Sequence, residues 1–192
     1  MTEKLPIEPT PQIAPSVSIW RRITGWIRDV LETILPALLI VLVVNAFLAQ
    51  ATRVEGQSMQ PNLYDDQRLI IEKVSYRFHL PRRGDIVVLK LPNRRQSDPP
   101  LIKRVVALPG ETIEIRDGRV YINGQALEES YLEQLTSGNM PPRVVSPDYV
   151  FVLGDNRGSS NDSRSFGEVA LSDIIGHAWV RYWPPGEAGL VH

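Results

Sequence analysis

The chain has 192 residues, 43% hydrophobic and 22% charged, with a formal net charge of −1 from 21 Lys+Arg against 22 Asp+Glu. That length accommodates one folded domain plus an appendage, and the balanced charge offers no cationic surplus for neutralising phosphates, so nucleic acid is not an expected partner. Because cysteine is absent, a disulfide framework, a thiol nucleophile and a Cys-ligated metal are excluded. His79, His177 and His192 lie too far apart for a paired metal-ligand motif, so no metal or cofactor is expected and any catalytic base must be another residue type.

Residues 1–18 carry Pro6, Pro9, Pro11 and Pro15 among polar side chains, too little apolar surface to offset the entropy of ordering. They read as flexible, and residues 1–29 as a cytoplasmic tail. Residues 33–52 then form a run of twenty without a charge. As a helix rising ~1.5 Å per residue, that run is about 30 Å long, enough to cross a bilayer's hydrocarbon core. The expectation is a transmembrane anchor at 30–52, with Pro36 in the first turn of the uncharged stretch. Two alternatives compete with it. A buried helix of a soluble domain would show a polar face, which 34–44 lacks. A cleaved signal peptide fits the small-x-small pattern Ala49-Gln50-Ala51, but more than thirty residues precede the apolar run. Arg21, Arg22 and Arg28 lie before the span and only Arg53 soon after it, which predicts a cytoplasmic N-terminus and an exported, periplasmic or lumenal, domain at 53–192.

Beyond residue 52 the pattern changes to short β-branched runs, with strands expected at 68–74, 85–91, 101–108, 112–115, 119–122, 149–153 and 174–182. Turn residues separate them, including Pro109-Gly110, Asp117-Gly118 and Asn123-Gly124. Asp117-Gly118 marks a two-residue hairpin turn, which needs positive φ. The polar, proline-containing segment 124–147 reads as an excursion from the sheet. The fold class is therefore mostly β, an antiparallel domain after a single N-terminal transmembrane helix.

Three segments stand out for chemistry: 54–63 with Ser58, 101–110 with Lys103, and 154–164 with Ser160, Asp162, Ser163 and Arg164. Strand alternation puts Lys103 on a face with Leu101, Val105 and Ala107. Burial there disfavours its charged form and lets it serve as a base; alternatively its stem packs on the sheet and its head reaches water. Arg104 points the other way and stays a guanidinium. Ser58 is a nucleophile if a base adjoins it and otherwise a turn serine. The third segment is either part of a site or a hydrogen-bonded polar loop.

Together, Gly56-x-Ser58-Met59-x-Pro61-x-Leu63, Arg83-Gly84-Asp85-Ile86-Val87-Val88, Lys103-Arg104-Val105-Val106-Ala107-Leu108-Pro109-Gly110-Glu111 and Gly154-Asp155-Asn156-Arg157…Ser160-x-Asp162-Ser163-Arg164 occur in the order found in type I signal peptidases. The chain resembles that family over about residues 33–183. The resemblance implies a β domain of two antiparallel sheets and a membrane-anchored endopeptidase that removes signal peptides from exported preproteins after a small-x-small motif. Its partners are then those signal peptides and the lipid bilayer. It further implies Ser58 as nucleophile, Lys103 as general base, Ser160 holding the lysine amine, and Asp162 with Arg164 as a supporting ion pair. Substrate pockets are implied at Val54, Met59, Leu63, Leu101 and Ile102. One departure is Gly56, where many relatives have a serine whose hydroxyl serves the oxyanion hole. The rival readings are a membrane-tethered β module without chemistry, which requires Ser58 and Lys103 to lie out of hydrogen-bond reach, and a repressor-type Ser/Lys autoprotease, against which the apolar span argues.

Overall fold

The computed structural model describes residues 19–44, 48–95 and 97–192. Residues 1–18 of the expected tail at 1–29, and positions 45–47 of the expected anchor, lie outside them, while 19–29 of that tail are helical. The chain divides into two units, 1–42 and 43–192.

The described residues of the first unit lie in helix α1 (Ile19–Val43), which begins eleven residues before the expected anchor, so Pro36 sits inside it. Arg28, Asp29 and Glu32 occupy its middle, and Arg28 pairs with Glu32 one turn on at 2.6 Å. Among the described residues no helix is long and apolar enough to cross a membrane. The reason is visible in α1, where the uncharged part is 33–43, about 16 Å of helix against a ~30 Å hydrocarbon core. Positions 49–52, expected to finish the anchor, are instead in a strand.

Among the described residues the second unit contains twelve strands. In chain order they are β1 (Ala49–Arg53), β2 (Arg68–Glu72), β3 (Ile86–Leu89), β4 (Leu101–Ala107), β5 (Thr112–Arg116), β6 (Arg119–Ile122), β7 (Gln125–Ala126), β8 (Met140–Val144), β9 (Tyr149–Leu153), β10 (Val169–Ala170), β11 (Ile174–Trp183) and β12 (Gly189–Leu190). The larger sheet runs β1-β2-β11-β3-β4-β9-β10 with β12 on β11; the smaller runs β7-β6-β5-β8. The pairings are antiparallel. All seven expected strands are present, within two residues at each end.

Strands β3, β4 and β9 are buried on both faces. Ile86 and Val88 pack with the loop residues Val54, Met59 and Leu63, while Val87 and Leu89 join Val105, Val150 and Val152. Phe151 and Leu153 meet Ile113, Ile115 and Val120 of the smaller sheet. Burial on both sides is why these strands read as continuous apolar runs. In the smaller sheet β6 alternates exposed, buried, half-buried, buried, as a half-covered strand should. Asp117 and Gly118 have φ of 50° and 76° between the paired Arg116 and Arg119, the left-handed geometry that a two-residue hairpin turn requires.

Segment 124–147 is not an excursion throughout, since it supplies β7 and β8 to the smaller sheet. Pro141 and Pro142 obscure β8 in the sequence, and β8 tolerates them as an edge strand, where a missing N–H need break no ladder bond.

Candidate active site

Ser58 lies in the loop between β1 and β2. The base of that loop is closed by Val54 N–H donating to the Gln67 carbonyl at 2.8 Å and Asp66 N–H to that of Val54 at 3.0 Å. Gly56 takes φ of 82°, a left-handed conformation that suits glycine, and its N–H donates to Asp65 Oδ1 at 2.8 Å. Val54, Met59 and Leu63 anchor the loop in the core. These three and Ile102 are only 1–6% exposed, and Leu101 is half-buried, so the positions named as pockets are closed over by packing here.

Lys103 enters from β4, where it pairs across from Val87. Its Nζ lies 2.7 Å from Ser58 Oγ and donates to the Ile102 carbonyl at 2.9 Å. The side chain is 2% exposed. Burial is the main force that pulls its pKa from 10.5 to about 8, Arg94 adds to the fall, and Asp162 and Asp155 oppose it. An amine that can be neutral near physiological pH, in contact with a hydroxyl, can accept that hydroxyl's proton.

The loop after β9 completes the surroundings. Asp162 is fully buried and caps α2 (Ser163–Phe166). It accepts from Gly154 N–H at 3.0 Å and from Arg164 Nε and Nη2 at 2.8 Å each. Burial pushes its pKa up, but the Arg164 and Gly154 hydrogen bonds outweigh this and hold the carboxyl below its ordinary value. Asn156 N–H donates to the Ser58 carbonyl at 3.0 Å. Ser160 Oγ is buried, with its hydroxyl beside the Asp162 carboxyl that it helps hold low, but among the described residues it makes no well-formed hydrogen bond, and the amine of Lys103 is held by Ser58 and Ile102 instead. Gly154 packs so tightly that a Cβ there would collide with Ser160 Oγ and lie 2.5 Å from the Ser58 carbonyl oxygen.

Several residues carry weight here that sequence reasoning did not assign. Asp155 takes a two-pronged contact from Arg104, Nε to Oδ1 at 2.9 Å and Nη2 to Oδ2 at 2.7 Å, and also accepts from Asn62 Nδ2 at 2.8 Å. Arg157 is buried with Glu129 and donates to the Gly154 carbonyl at 3.1 Å. The available signal was weak, namely that Arg104, Asp155 and Arg157 sit within the quoted motifs, with partners 28 to 51 residues away. Among the described residues no cluster of three His, Cys, Asp or Glu side chains could hold a metal ion.

Residues 27–183 match the family model for signal peptidase, peptidase S26. The chain is 40% identical to a signal peptidase I of Leptolyngbya laminosa over 94% of its own length and 93% of the relative's. It is 39% identical to a probable signal peptidase I-1 of Synechocystis sp., covering 93% and 91% respectively. A crystal structure of a signal peptidase I from Enterococcus faecalis V583 is 34% identical, with a TM-score of 0.46 over 52% of this chain and 97% of that one. With the family model covering most of the chain and two relatives aligned nearly end to end, this protein belongs to the signal peptidase family, peptidase S26.

Proposed function

We propose that the chain cleaves signal peptides from exported preproteins after a small-x-small motif, with Ser58 as nucleophile and Lys103 as general base. The observation that carries this reading is the 2.7 Å contact between Lys103 Nζ and Ser58 Oγ, made by an amine whose pKa burial lowers to about 8. A non-catalytic module would have no need to keep a lysine away from water.

In the proposed cycle neutral Lys103 takes the Ser58 proton as Oγ attacks the carbonyl carbon of the scissile bond. The oxyanion is met by the Ser58 backbone N–H. As the intermediate collapses, Lys103 returns the proton to the departing amine, leaving an ester on Ser58. Lys103 then takes a proton from water, the hydroxide attacks the ester, and the proton goes back to Ser58 Oγ as the acid product departs. Gly56 supplies no hydroxyl to the oxyanion.

Asp162 and Arg164 hold the loop that carries Ser160 against the Ser58 carbonyl, a role supported by the Gly154 and Asn156 contacts. Ser160 makes no hydrogen bond to the amine in this state. Val54, Met59, Leu63, Leu101 and Ile102 are proposed as the apolar walls that receive small substrate side chains, which requires the loop over them to open or shift when the peptide binds.

Attachment to a bilayer at the helical end belongs to the same proposal, with the N-terminus cytoplasmic and the β domain on the exported side. It rests on the exposed apolar side chains Ile34, Leu35 and 38–44 of the helix region, a surface of the kind that water does not favour.

Cleavage of a preprotein by wild type, Ser58→Ala and Lys103→Ala tests the chemistry. Both variants are expected to lose activity by about 10³-fold or more, and full activity in either overturns the assignment. Wild-type kcat/KM is expected to rise with pH through about 8 as Lys103 deprotonates.

A further inference from the structure

One short stretch outside the motifs touches all three of the segments that build the site. Glu129-Ser130-Tyr131 lies in the connection between β7 and β8. The Tyr131 ring covers Arg104, whose Cζ is 4.0 Å from the ring centroid. Its carbonyl accepts from Asn62 Nδ2, four residues past the nucleophile, at 2.9 Å. Its hydroxyl donates to Glu129 Oε1 at 2.6 Å. Glu129 in turn pairs with the buried Arg157, which reaches the Gly154 carbonyl. The lysine strand and the serine loop therefore meet on Tyr131, and Glu129 with Arg157 carries the contact on to the loop holding Ser160 and Asp162.

We infer that Tyr131 is a positioning residue for the Ser58–Lys103 pair, setting β4, the β1–β2 loop and the 154–162 loop relative to one another. The inference rests on the dyad reading above. Ser58 and Lys103 are 45 residues apart in the chain, and contact at 2.7 Å tolerates little relative movement, since a misplacement of ~1 Å can cost about 10²-fold in rate. Asn62 is the joint, because its Nδ2 bonds both the Tyr131 carbonyl and Asp155, which holds Arg104 next to Lys103.

The ring also shields. Arg104 and Asp155 beneath it have side chains 3% and 0% exposed. Removing the ring lets β4 and the serine loop shift, and the looser fit around Lys103, on the opposite face of β4 from the ring, weakens the desolvation that keeps it easy to deprotonate. The charged groups acting on Lys103 are Asp162 and Asp155 from the loop after β9 and Arg94 from the connection between β3 and β4; on its own strand the neighbour is Arg104, with Ser58 opposite. A neutral substitution at Tyr131 leaves each of these charges in place, so a shift in the titration reports geometry and water.

The test uses the full chain in detergent with a preprotein substrate, and compares Tyr131→Leu with Tyr131→Phe, each corrected for folded fraction. Tyr131→Leu is expected to lower kcat about tenfold or more with KM within about twofold, and to move the midpoint of the pH–rate profile up by about half a unit or more. Tyr131→Phe keeps the ring and the carbonyl and loses only the hydroxyl's bond to Glu129, which Arg157 still holds, so it is expected to stay within about threefold of wild type with an unmoved midpoint. Wild-type kcat and midpoint in Tyr131→Leu, or a kcat loss with no shift in midpoint, overturns the inference. Should Tyr131→Leu not fold, Asn62→Ala carries the test by cutting the joint through which the serine loop meets both the Tyr131 carbonyl and Asp155: a fall in kcat of about threefold or more at steady KM supports the inference, and wild-type kcat overturns it. Activity surviving in Ser58→Ala removes the dyad reading, whereas an inactive Ser58→Ala beside an unaffected Tyr131→Leu removes only the role of Tyr131.

Discussion

Lys103 and Arg104 are adjacent on β4 and equally buried, at 2% and 3% exposure, yet their surroundings prepare them for opposite states. On the arginine side the guanidinium meets the Asp155 carboxylate with two hydrogen bonds, the Gly84 carbonyl at 2.9 Å and the face of Tyr131. On the lysine side the amine meets a hydroxyl and one carbonyl, and the carboxylates of Asp162 and Asp155 are directed to Arg164 and Arg104. Burial makes both charges costly, and what decides the outcome is whether a carboxylate makes direct contact. A guanidinium, too basic to release its proton, is given a partner, while an amine, able to release it, is left without one.

The strongest way to break this contrast is to remove the partner from the arginine side. Asp155→Ala leaves Arg104 buried and uncompensated, at an expected cost of about 3–5 kcal/mol in unfolding free energy by chemical denaturation. Stability equal to wild type would show that the ion pair does not carry the packing of β4 against the loop after β9.

A smaller effect is expected from the lysine side. Because the folded-state pKa of Lys103 lies below 10.5, at about 8, the unfolded chain binds more protons between those values and stability rises with pH across that window. The stability linked to neutral Lys103 is complete above pH ~10.5 and is lost as pH falls through ~8, a swing of about 3 kcal/mol at ~1.4 kcal/mol per pKa unit. Lys103→Met lacks that swing. Its stability relative to wild type is expected to be highest at pH 7 and to shrink as pH approaches 10.5, and a difference that stays constant with pH contradicts a depressed pKa.

How much of this was legible in the sequence follows from where the partners lie. Strands covered on both faces, such as Ile86–Leu89 and Tyr149–Leu153, announce themselves as apolar runs. Ala49–Arg53 did not, because residues 49–52 continue the uncharged run that precedes them, and only pairing with Arg68–Glu72 makes it a strand. The helix itself was foreseen, but it begins at Ile19 and ends at Val43. Met140–Val144 was hidden by two prolines that an edge position tolerates. In the site, the pairing of Ser58 with Lys103 came from resemblance to a family, since alternation along β4 could not separate a buried amine from one reaching water. The contacts of Asp155 with Arg104 and of Glu129 with Arg157 join residues 51 and 28 positions apart, and no local spacing encodes them. Tyr131 lies in a polar stretch without periodicity, so only its contacts reveal it.

The most direct measurement is the titration of Lys103 itself, by NMR of the lysine side-chain signals in the intact folded protein, assigned by comparison with Lys103→Met. A midpoint near pH 8, coincident with the rise in preprotein cleavage, is the predicted result. An amine that remains cationic to pH 10 while cleavage proceeds at full rate would contradict the account.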